Sequence, residues 1–155
     1  MVTFARSVVD VPRRSAAVGA ALGACPADWL ADLVDQIGKA SSDLLLGLGS
    51  AAAARRFPVR EEVRVHSLIL LHRNGPLLLP VSFVSSAPDA LFVTAEADLE
   101  AARRGADHTR IQLSARFSTN SALARDRRAA RWMIQDYTRR LGVRIADHLL
   151  DSAAI

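Results

Sequence analysis

The chain has 155 residues, of which 50% are hydrophobic and 23% are charged, and its formal net charge is +4. This composition excludes a disordered chain, and the length suits a single domain over residues 1–155 with one hydrophobic core. The only cysteine, Cys25, cannot form an intrachain disulfide, which is typical of a reducing compartment. The segment 1–10 lacks the regions of a signal peptide, and the weakly polar run 44–54 is too short to span a bilayer. We therefore expect a cytoplasmic protein without a membrane span.

The basic residues are almost all arginines, and Lys39 is the only lysine. Proteins that bind nucleic acids neutralise many phosphates, and a net charge of +4 is modest for that task. We therefore rank nucleic acid well below a small molecule as the partner. One group of arginines does cluster near the start of the last predicted helix: Arg125, Arg127, Arg128 and Arg131.

The N-terminal segment predicts a strand followed by a short helix. Residues 2–11 alternate between polar and apolar side chains, which indicates a strand. The helix is predicted over about 12–22, with Asp10 available as its N-cap, and Gly23 ends it.

A second helix is predicted to begin near Pro26. The segment 41–54 fits either a helix or an irregular connection, because its leucines and alanines favour a helix and its glycines weaken one. The apolar side chains that recur at helical spacing in the second helix are Trp29, Leu30, Leu33, Val34 and Ile37.

Beyond Phe57 the period of the apolar residues changes to that of strands. Residues 61–73 alternate over their whole length, which predicts one long strand. Asn74-Gly75 is the strongest hairpin signal in the chain, since both residues tolerate the positive φ of a tight turn. The return strand is predicted over 77–84, with Pro80 marking an edge or a bulge.

Two further strands and a long helix complete the chain. The strands are predicted over 91–100 and 108–117, separated by a turn at 103–107, and the helix over about 122–150. A helix of that length must bury its apolar stripe, and the nearest surface is the sheet that precedes it. The sequence therefore predicts an α+β fold in which a curved antiparallel sheet encloses a long C-terminal helix.

A sheet wrapped on a helix leaves space between the two, and apolar walls would make that space a site for a small hydrophobic ligand. Tyr137 carries the only phenol of the chain and is expected to face this space, where it could hydrogen-bond a ligand. The predicted ligand-binding residues on the sheet are Val65, Ile69, Phe83, Val93, Ile111 and Leu113, and those on the helix are Ala130, Met133, Ile134, Tyr137 and Leu141.

Several segments mark the corners and strands of this order of elements: Asp10-Val11-Pro12, Pro80-Val81-Ser82-Phe83, Leu91-Phe92, Ala95 to Glu100, His108 to Leu113, Asp126-Arg127 and Ile145 to Leu149. With these segments the chain resembles the START-like, or SRPBCC, superfamily of helix-grip proteins, which includes polyketide cyclases, Bet v 1-like ligand carriers and lipid-transfer domains. The resemblance covers nearly the whole chain and implies a ligand cavity between sheet and terminal helix. The segment 25–56 is longer and more alanine-rich than the two short helices of that family.

None of the titratable residues forms a recognisable catalytic or metal-binding pattern. His66 and His72 share one face of the predicted strand but lie roughly 20 Å apart, too far to bind one metal. His108 and His148 have no ligand spacing, although a cationic His148 would suit the end of a helix. Cys25 is expected to be a partly buried, inert thiol. We therefore predict no metal, no cofactor and no catalytic residue.

Glu96, Asp98 and Glu100 share the polar face of their predicted strand. Buried together, such carboxylates could perform acid and base chemistry. The favoured interpretation is a solvated face whose carboxylates pair with Arg110, Gln112 and Arg116 on the neighbouring strand.

Three functions remain open from the sequence. The first is an intracellular carrier of a small hydrophobic ligand, lipid or polyketide-like, and the second is a cyclase or aromatase on the same fold, between which a fold alone does not decide. The third is a regulatory protein that binds an acidic partner or nucleic acid through the basic face of its last helix.

Overall fold

The computed structural model describes residues 2–45, 55–71, 73, 75–119 and 127–153, and the side chains of all of these except 41–45. Nine elements and one 3₁₀ turn follow one another in these ranges. The helices are α1 (Ser15–Gly23), α2 (Pro26–Leu45) and α3 (Arg127–Ser152), and the 3₁₀ turn is Arg60–Glu62. The strands are β1 (Val2–Val11), β2 (Val63–Val65), β3 (Ile69–Leu70), β4 (Leu77–Val84), β5 (Phe92–Arg103) and β6 (Thr109–Thr119).

The strands form one antiparallel sheet in the order β1-β6-β5-β4-β2, and β3 also pairs with β4. The ladder between β1 and β6 runs without interruption from Val2 opposite Ser118 to Val11 opposite Thr109. Alternate side chains point to the two faces, so one face is buried and the other is exposed. The predicted α+β fold is confirmed, with a curved antiparallel sheet against a long C-terminal helix.

Helix α3 lies across the inner face of the sheet and along β1. Gly142 permits this approach, because a Cβ built there would overlap the side chain of Ser7 and lie 2.5 Å from its Cβ. The buried stripe of α3 continues the inner face of the sheet in one hydrophobic core. The stripe includes all five helix residues predicted to bind a ligand: Ala130, Met133, Ile134, Tyr137 and Leu141.

Helices α1 and α2 meet at a corner of 85°. Cys25 lies at this corner with φ +48°, a left-handed conformation that is uncommon for a residue with a side chain. Cys25 is exposed rather than partly buried, so that prediction is wrong. Among the described residues no single helix is long and apolar enough to cross a membrane, and α1 with α2 up to Ala40 meets the criteria only as a bent pair, by length and composition.

The predicted start of α1 is wrong. The helix begins at Ser15, and its N-cap, Arg14, makes no side-chain capping bond. Asp10 belongs to β1 instead, opposite Arg110, whose guanidinium donates to its carboxylate at 3.0 Å. The strand reaches Val11, as the alternation over 2–11 predicts, because β6 provides a ladder partner for every residue up to that point.

The strand predicted over 61–73 is broken. It consists of the 3₁₀ turn followed by β2 and β3, and the two strands pair with β4 in registers that differ by one residue. The break lies beside Pro80, which has no N–H to donate to a neighbouring strand. The slip moves Ile69 to the surface, where it is 43% exposed, while Val65 stays partly buried.

Asn74 lies outside the described residues, so the predicted Asn74-Gly75 turn is not itself described. The flanking register is described: Leu70 is opposite Leu77, and the N–H of Leu71 donates to the carbonyl of Pro76 at 3.3 Å. A two-residue turn at Asn74-Gly75 would instead place residue 73 opposite Pro76. In the observed pairing the partners of Pro76 and Leu77 lie two residues earlier in the chain than that turn requires.

A bulge at the start of β5 changes the exposure of Val93. The register of β5 against β6 shifts between Phe92 and Thr94. A bulge places two residues of one strand opposite one residue of its partner, so Phe92 is buried like Ala95 while Val93 is 45% exposed. The prediction that Val93 faces the interior is therefore wrong.

Candidate functional site

The interior between sheet and α3 brings together most of the residues predicted to bind a ligand. Eight of them belong to the hydrophobic core, and Val65 packs against it, whereas Ile69 and Val93 lie outside. The side chains touch one another here, so their placement is also that of an ordinary core. The eight core members are Phe83, Ile111, Leu113, Ala130, Met133, Ile134, Tyr137 and Leu141.

Tyr137 is the member of this group that carries an unsatisfied hydrogen-bonding group. Its side chain is 1% exposed, and its hydroxyl has no hydrogen-bond partner among the described residues. A buried hydroxyl without a partner costs about 1–3 kcal/mol. By contrast, the neighbouring buried hydroxyl of Thr138 donates to the carbonyl of Ile134 at 2.8 Å. Tyr137 thus contributes an unsatisfied donor to the core, as does the indole N–H of Trp29 at its other end.

The ring of Tyr137 belongs to an aromatic cluster, defined as Phe57, Phe83, Phe92, Phe117 and Tyr137. The ring of Tyr137 stacks on Phe57 with centroids 5.2 Å apart and lies 6.3 Å from Phe92. Phe92 meets Phe117 edge-on at 4.8 Å. Rings in such arrangements attract one another beyond their burial, so the cluster gives the phenol fixed, flat walls.

The segment that carries Phe57 is held by an ion-pair network. The guanidinium of Arg56 binds both carboxylate oxygens of Glu62 at 2.8 Å, donates to Ser85 at 2.9 Å and lies 3.3 Å from Asp89. The backbone of Arg56 also bonds to the backbones of Asp89 and Leu91. Bidentate pairing of this kind is geometrically specific. It fixes the strand-like stretch from which Phe57 projects into the core.

The network also sets the charge of its own members. The Arg56 guanidinium lowers the pKa of Glu62 to about 2, against the opposing effect of burial. The same pairing raises the pKa of Arg56. Both groups therefore stay charged at neutral pH and form an ion pair with each other.

A cleft of about 430 Å³ lies on the outer side of Phe57. Its wall is formed by Asp35, Gly38 and Lys39 of α2 and by residues 56–59. Phe57 is 4% exposed and contacts both this cleft and Tyr137, so it is the partition between them.

The phenol of Tyr137 is a neutral hydrogen-bond donor. Burial raises its pKa well above the usual range, and the negative charges of Asp35 and Glu62 raise it further. Those carboxylates are engaged elsewhere: Asp35 accepts from the backbone N–H of Arg60 at 2.7 Å, and Glu62 pairs with Arg56. The site thus offers a neutral donor and apolar walls, with no free base close by among the described residues.

Two of the larger hollows lie away from this site. A groove of about 930 Å³ runs over the exposed face of the sheet, and a cleft of about 560 Å³ lies between α1, α2 and the end of α3. In the second, His148 stacks on Trp29 at 4.4 Å, and burial lowers its pKa, which favours the neutral imidazole over the predicted cation. None of the predicted ligand-binding residues belongs to the walls of either hollow.

The acidic face of β5 lies where the sequence predicts it, but its pairing differs. Glu96 is opposite Arg116 in the register and Glu100 is opposite Gln112, while Asp98 is opposite Ser114. No ion pair within 4 Å joins these carboxylates to an arginine in the described chain, and Arg110 pairs with Asp10 instead. The described residues also contain no group of three or more side chains suited to hold a metal ion.

Sequence reasoning missed Phe57 and the network behind it. Phe57 marks only the change of period in the sequence, and an arginine and a glutamate six residues apart lie too far from each other to pair within one strand or one helix. The available signal was that an aromatic residue precedes proline within a charged stretch. Charged neighbours in the sequence cannot bury an aromatic ring, so the ring has to pack into the hydrophobic core.

A sheet that encloses a long terminal helix, with an apolar interior and one buried phenol, defines a protein of the helix-grip class. No family model matches the chain, and no curated protein matches it. Among solved structures it is similar to the Zhui aromatase/cyclase from Streptomyces sp. R1128, with 13% identity, coverage of 99% of this chain and 94% of that one, and a TM-score of 0.47.

Two further solved structures show a similar degree of likeness. Norcoclaurine synthase from Thalictrum flavum, in complex with dopamine and hydroxybenzaldehyde, has 11% identity, coverage of 96% and 88% of the two chains, and a TM-score of 0.43. Ara h 8.0201 has 10% identity, coverage of 95% and 99%, and a TM-score of 0.36. The helix-grip fold implied by the sequence resemblance is present in the order and pairing of this chain's own elements.

Proposed function

We propose that this protein binds a small, mainly apolar ligand in the interior between sheet and α3, beside the hydroxyl of Tyr137. The observation that carries the proposal is this hydroxyl, fully buried and without a partner among the described residues. A ligand that accepts a hydrogen bond would remove the cost of the unsatisfied group. The predicted lining residues that belong to the core would form the walls.

The surroundings define the chemistry of the ligand. The rings of Phe57 and Phe92 favour a flat, apolar molecule, and the phenol favours one with a hydroxyl or carbonyl oxygen. Asp35 and Glu62 disfavour a ligand with a negative charge at this point, since their charges already act on the phenol. A neutral, flat molecule with one polar oxygen fits all three conditions.

Carrying a ligand fits the site better than catalysis. Acid and base chemistry needs titratable groups that converge on the ligand with a suitable pKa. The groups that act on Tyr137 are Asp35 and Glu62, and each is held by an arginine or its backbone. The interior therefore binds and shields a ligand without a group poised to transform it.

A matched pair of probes tests the role of the hydroxyl. Naphthalene and 2-naphthol have the same rings and differ by one oxygen, so their relative affinity measures the polar contact. We expect each to displace the neutral dye Nile red from the folded protein, with a preference for 2-naphthol of about two- to tenfold, the range for one neutral hydrogen bond.

Two variants decide the interpretation. Tyr137→Phe removes the donor and should abolish the preference while naphthalene still binds. Thr138→Val removes a buried hydroxyl one residue away that is already bonded to Ile134, and it should leave the preference unchanged. The proposal is wrong if neither probe binds the folded protein, or if the preference for 2-naphthol survives in Tyr137→Phe.

A further inference from the structure

The two aromatic side chains outside the core lie on one side of the molecule. Of the eight residues of Phe, Trp and Tyr, only Phe4 and Trp132 are exposed, at 70% and 55%. They belong to β1 and α3, which are joined at this point by a hydrogen bond from the side-chain amide of Gln135 to the carbonyl of Phe4 at 3.1 Å. Trp132 lies one helical turn before Gln135 on the same side of α3.

The relative direction of β1 and α3 places further residues at this spot. Contacts join Phe4 to Gln135 and Ser7 to Gly142. Three strand residues and seven helix residues both span about 10 Å, so the two elements run side by side in the same direction. One turn before Gln135, Arg131 is therefore level with Val2, which is 42% exposed.

Arginines without acidic partners surround these side chains. Arg128 and Arg131 are exposed and make no ion pair or hydrogen bond in the described chain. Among the described residues Arg6 donates only to the neutral amide of Gln112, at 2.8 Å. We call this surface the basic aromatic patch, and its members are Val2, Phe4, Arg6, Arg128, Arg131 and Trp132.

We propose that the basic aromatic patch docks the protein on a bilayer that contains anionic lipid. Indole and phenyl rings are favoured at the level of the headgroups, and arginines near such a surface gain from its negative potential. The patch is complementary in both respects, since its charges are all positive and its apolar groups lie among them. Docking does not require a ligand in the interior, so it is independent of the proposed carrier function.

A polynucleotide is a poorer fit to the same surface. Binding of single strands uses a basic groove in which bases stack along the path of the backbone. The groove beside this patch includes Phe4, Arg6 and Arg116, but its wall also holds Glu96 and Asp98, whose carboxylates have no basic partner within 4 Å among the described residues. A phosphate chain in that groove would meet these negative charges, whereas a bilayer touches only the patch.

Vesicle sedimentation tests the proposal on the full chain. Vesicles of phosphatidylglycerol mixed with phosphatidylcholine are expected to bind the protein at low salt, and vesicles of pure phosphatidylcholine much less. Binding should shift the tryptophan emission to the blue and make it sensitive to brominated lipid. This signal reports on Trp132, because Trp29 is only 9% exposed and is part of the core.

Two double variants measure how much the arginines of the patch contribute to vesicle binding. Arg128→Gln with Arg131→Gln should weaken binding about thirtyfold, the factor for two charges each worth about 1 kcal/mol at an anionic surface. Arg103→Gln with Arg104→Gln removes the same charge from two exposed arginines at the opposite end of the sheet and should have little effect.

The following outcomes would overturn the proposal: no binding to the anionic vesicles at low salt, an equal loss in both pairs of variants, or an unchanged tryptophan emission on binding. Tighter binding of polyuridylate than of the vesicles, lost in Arg128→Gln with Arg131→Gln, would assign the patch to a polynucleotide instead. Circular dichroism of each variant establishes that it is folded, which we expect because the substituted side chains are all exposed.

Discussion

Replacing Tyr137 by Phe is expected to stabilise the ligand-free protein. The change removes a hydroxyl that is buried and without a partner in the described chain, and it keeps the ring that stacks on Phe57. Since an unsatisfied buried donor costs about 1–3 kcal/mol, we expect the free energy of unfolding to rise by about 1 kcal/mol. For a chain of this size that is an increase in Tm of about 2–4 °C.

The assay is urea and thermal unfolding of protein freed of bound small molecules. Tyr137→Ala serves as the contrast, because it removes the ring as well and should lower the free energy of unfolding by about 3–5 kcal/mol. With 2-naphthol at saturation the wild type should gain more stability than Tyr137→Phe, so the advantage of the variant should shrink. A loss of stability of more than about 1 kcal/mol in ligand-free Tyr137→Phe would refute the reasoning, since it would mean that the hydroxyl already has a partner such as a buried water.

Three further perturbations test the packing and the charges. Ile134→Ala empties a site that is fully buried against the sheet and should lower the free energy of unfolding by about 2–4 kcal/mol; an unchanged melt would place this face of α3 outside the core. Gly142→Ala should cost about 1–3 kcal/mol through overlap with Ser7, and Ser7→Gly in the same chain should restore most of it; a cost that persists would locate the strain elsewhere. Glu62→Gln should make the free energy of unfolding less sensitive to acid. The pKa of Glu62 in the folded protein, about 2, lies below the ordinary value of 4.5. The stabilisation by Glu62 is therefore complete above about pH 4.5 and is lost as the pH falls towards 2. Urea unfolding at neutral and acidic pH should show a lower stability for Glu62→Gln at neutral pH and a smaller drop on acidification, and parallel curves for the two proteins would contradict this.

The sequence predicts those parts of the fold that depend on local periodicity. The alternation over 2–11 and 77–84 matches β1 and β4, and the helical spacing from Trp29 to Ile37 matches α2. These patterns are local consequences of burying one face of an element. The buried stripe of α3 follows from the same reasoning, and it places Tyr137 correctly in the interior.

The errors arise where one residue changes the register. The bulge beside Val93 and the slip between β2 and β3 depend on the partner strand, and no periodicity within either segment reveals them. A shift of one residue moves a side chain to the other face, which is why Ile69 and Val93 are exposed. The predicted role of Asp10 as an N-cap is wrong for a related reason, because its partner Arg110 is 100 residues away in the chain.

The candidate site was predicted in outline only. Its walls follow from the apolar stripes, but the partition formed by Phe57 depends on Arg56, Glu62 and Asp89, which a sequence pattern does not connect. The unsatisfied state of the Tyr137 hydroxyl is a property of the packed interior. Neither could be obtained from spacing, because both depend on contacts between distant segments.

Native mass spectrometry of freshly purified protein tests the central claim most directly. If the interior beside Tyr137 carries a small apolar ligand, the wild type should retain a non-covalent adduct of low mass, and Tyr137→Phe should retain less of it at equal expression. A spectrum that shows only the bare chain, together with no binding of Nile red, naphthalene or 2-naphthol by the same preparation, would contradict the account.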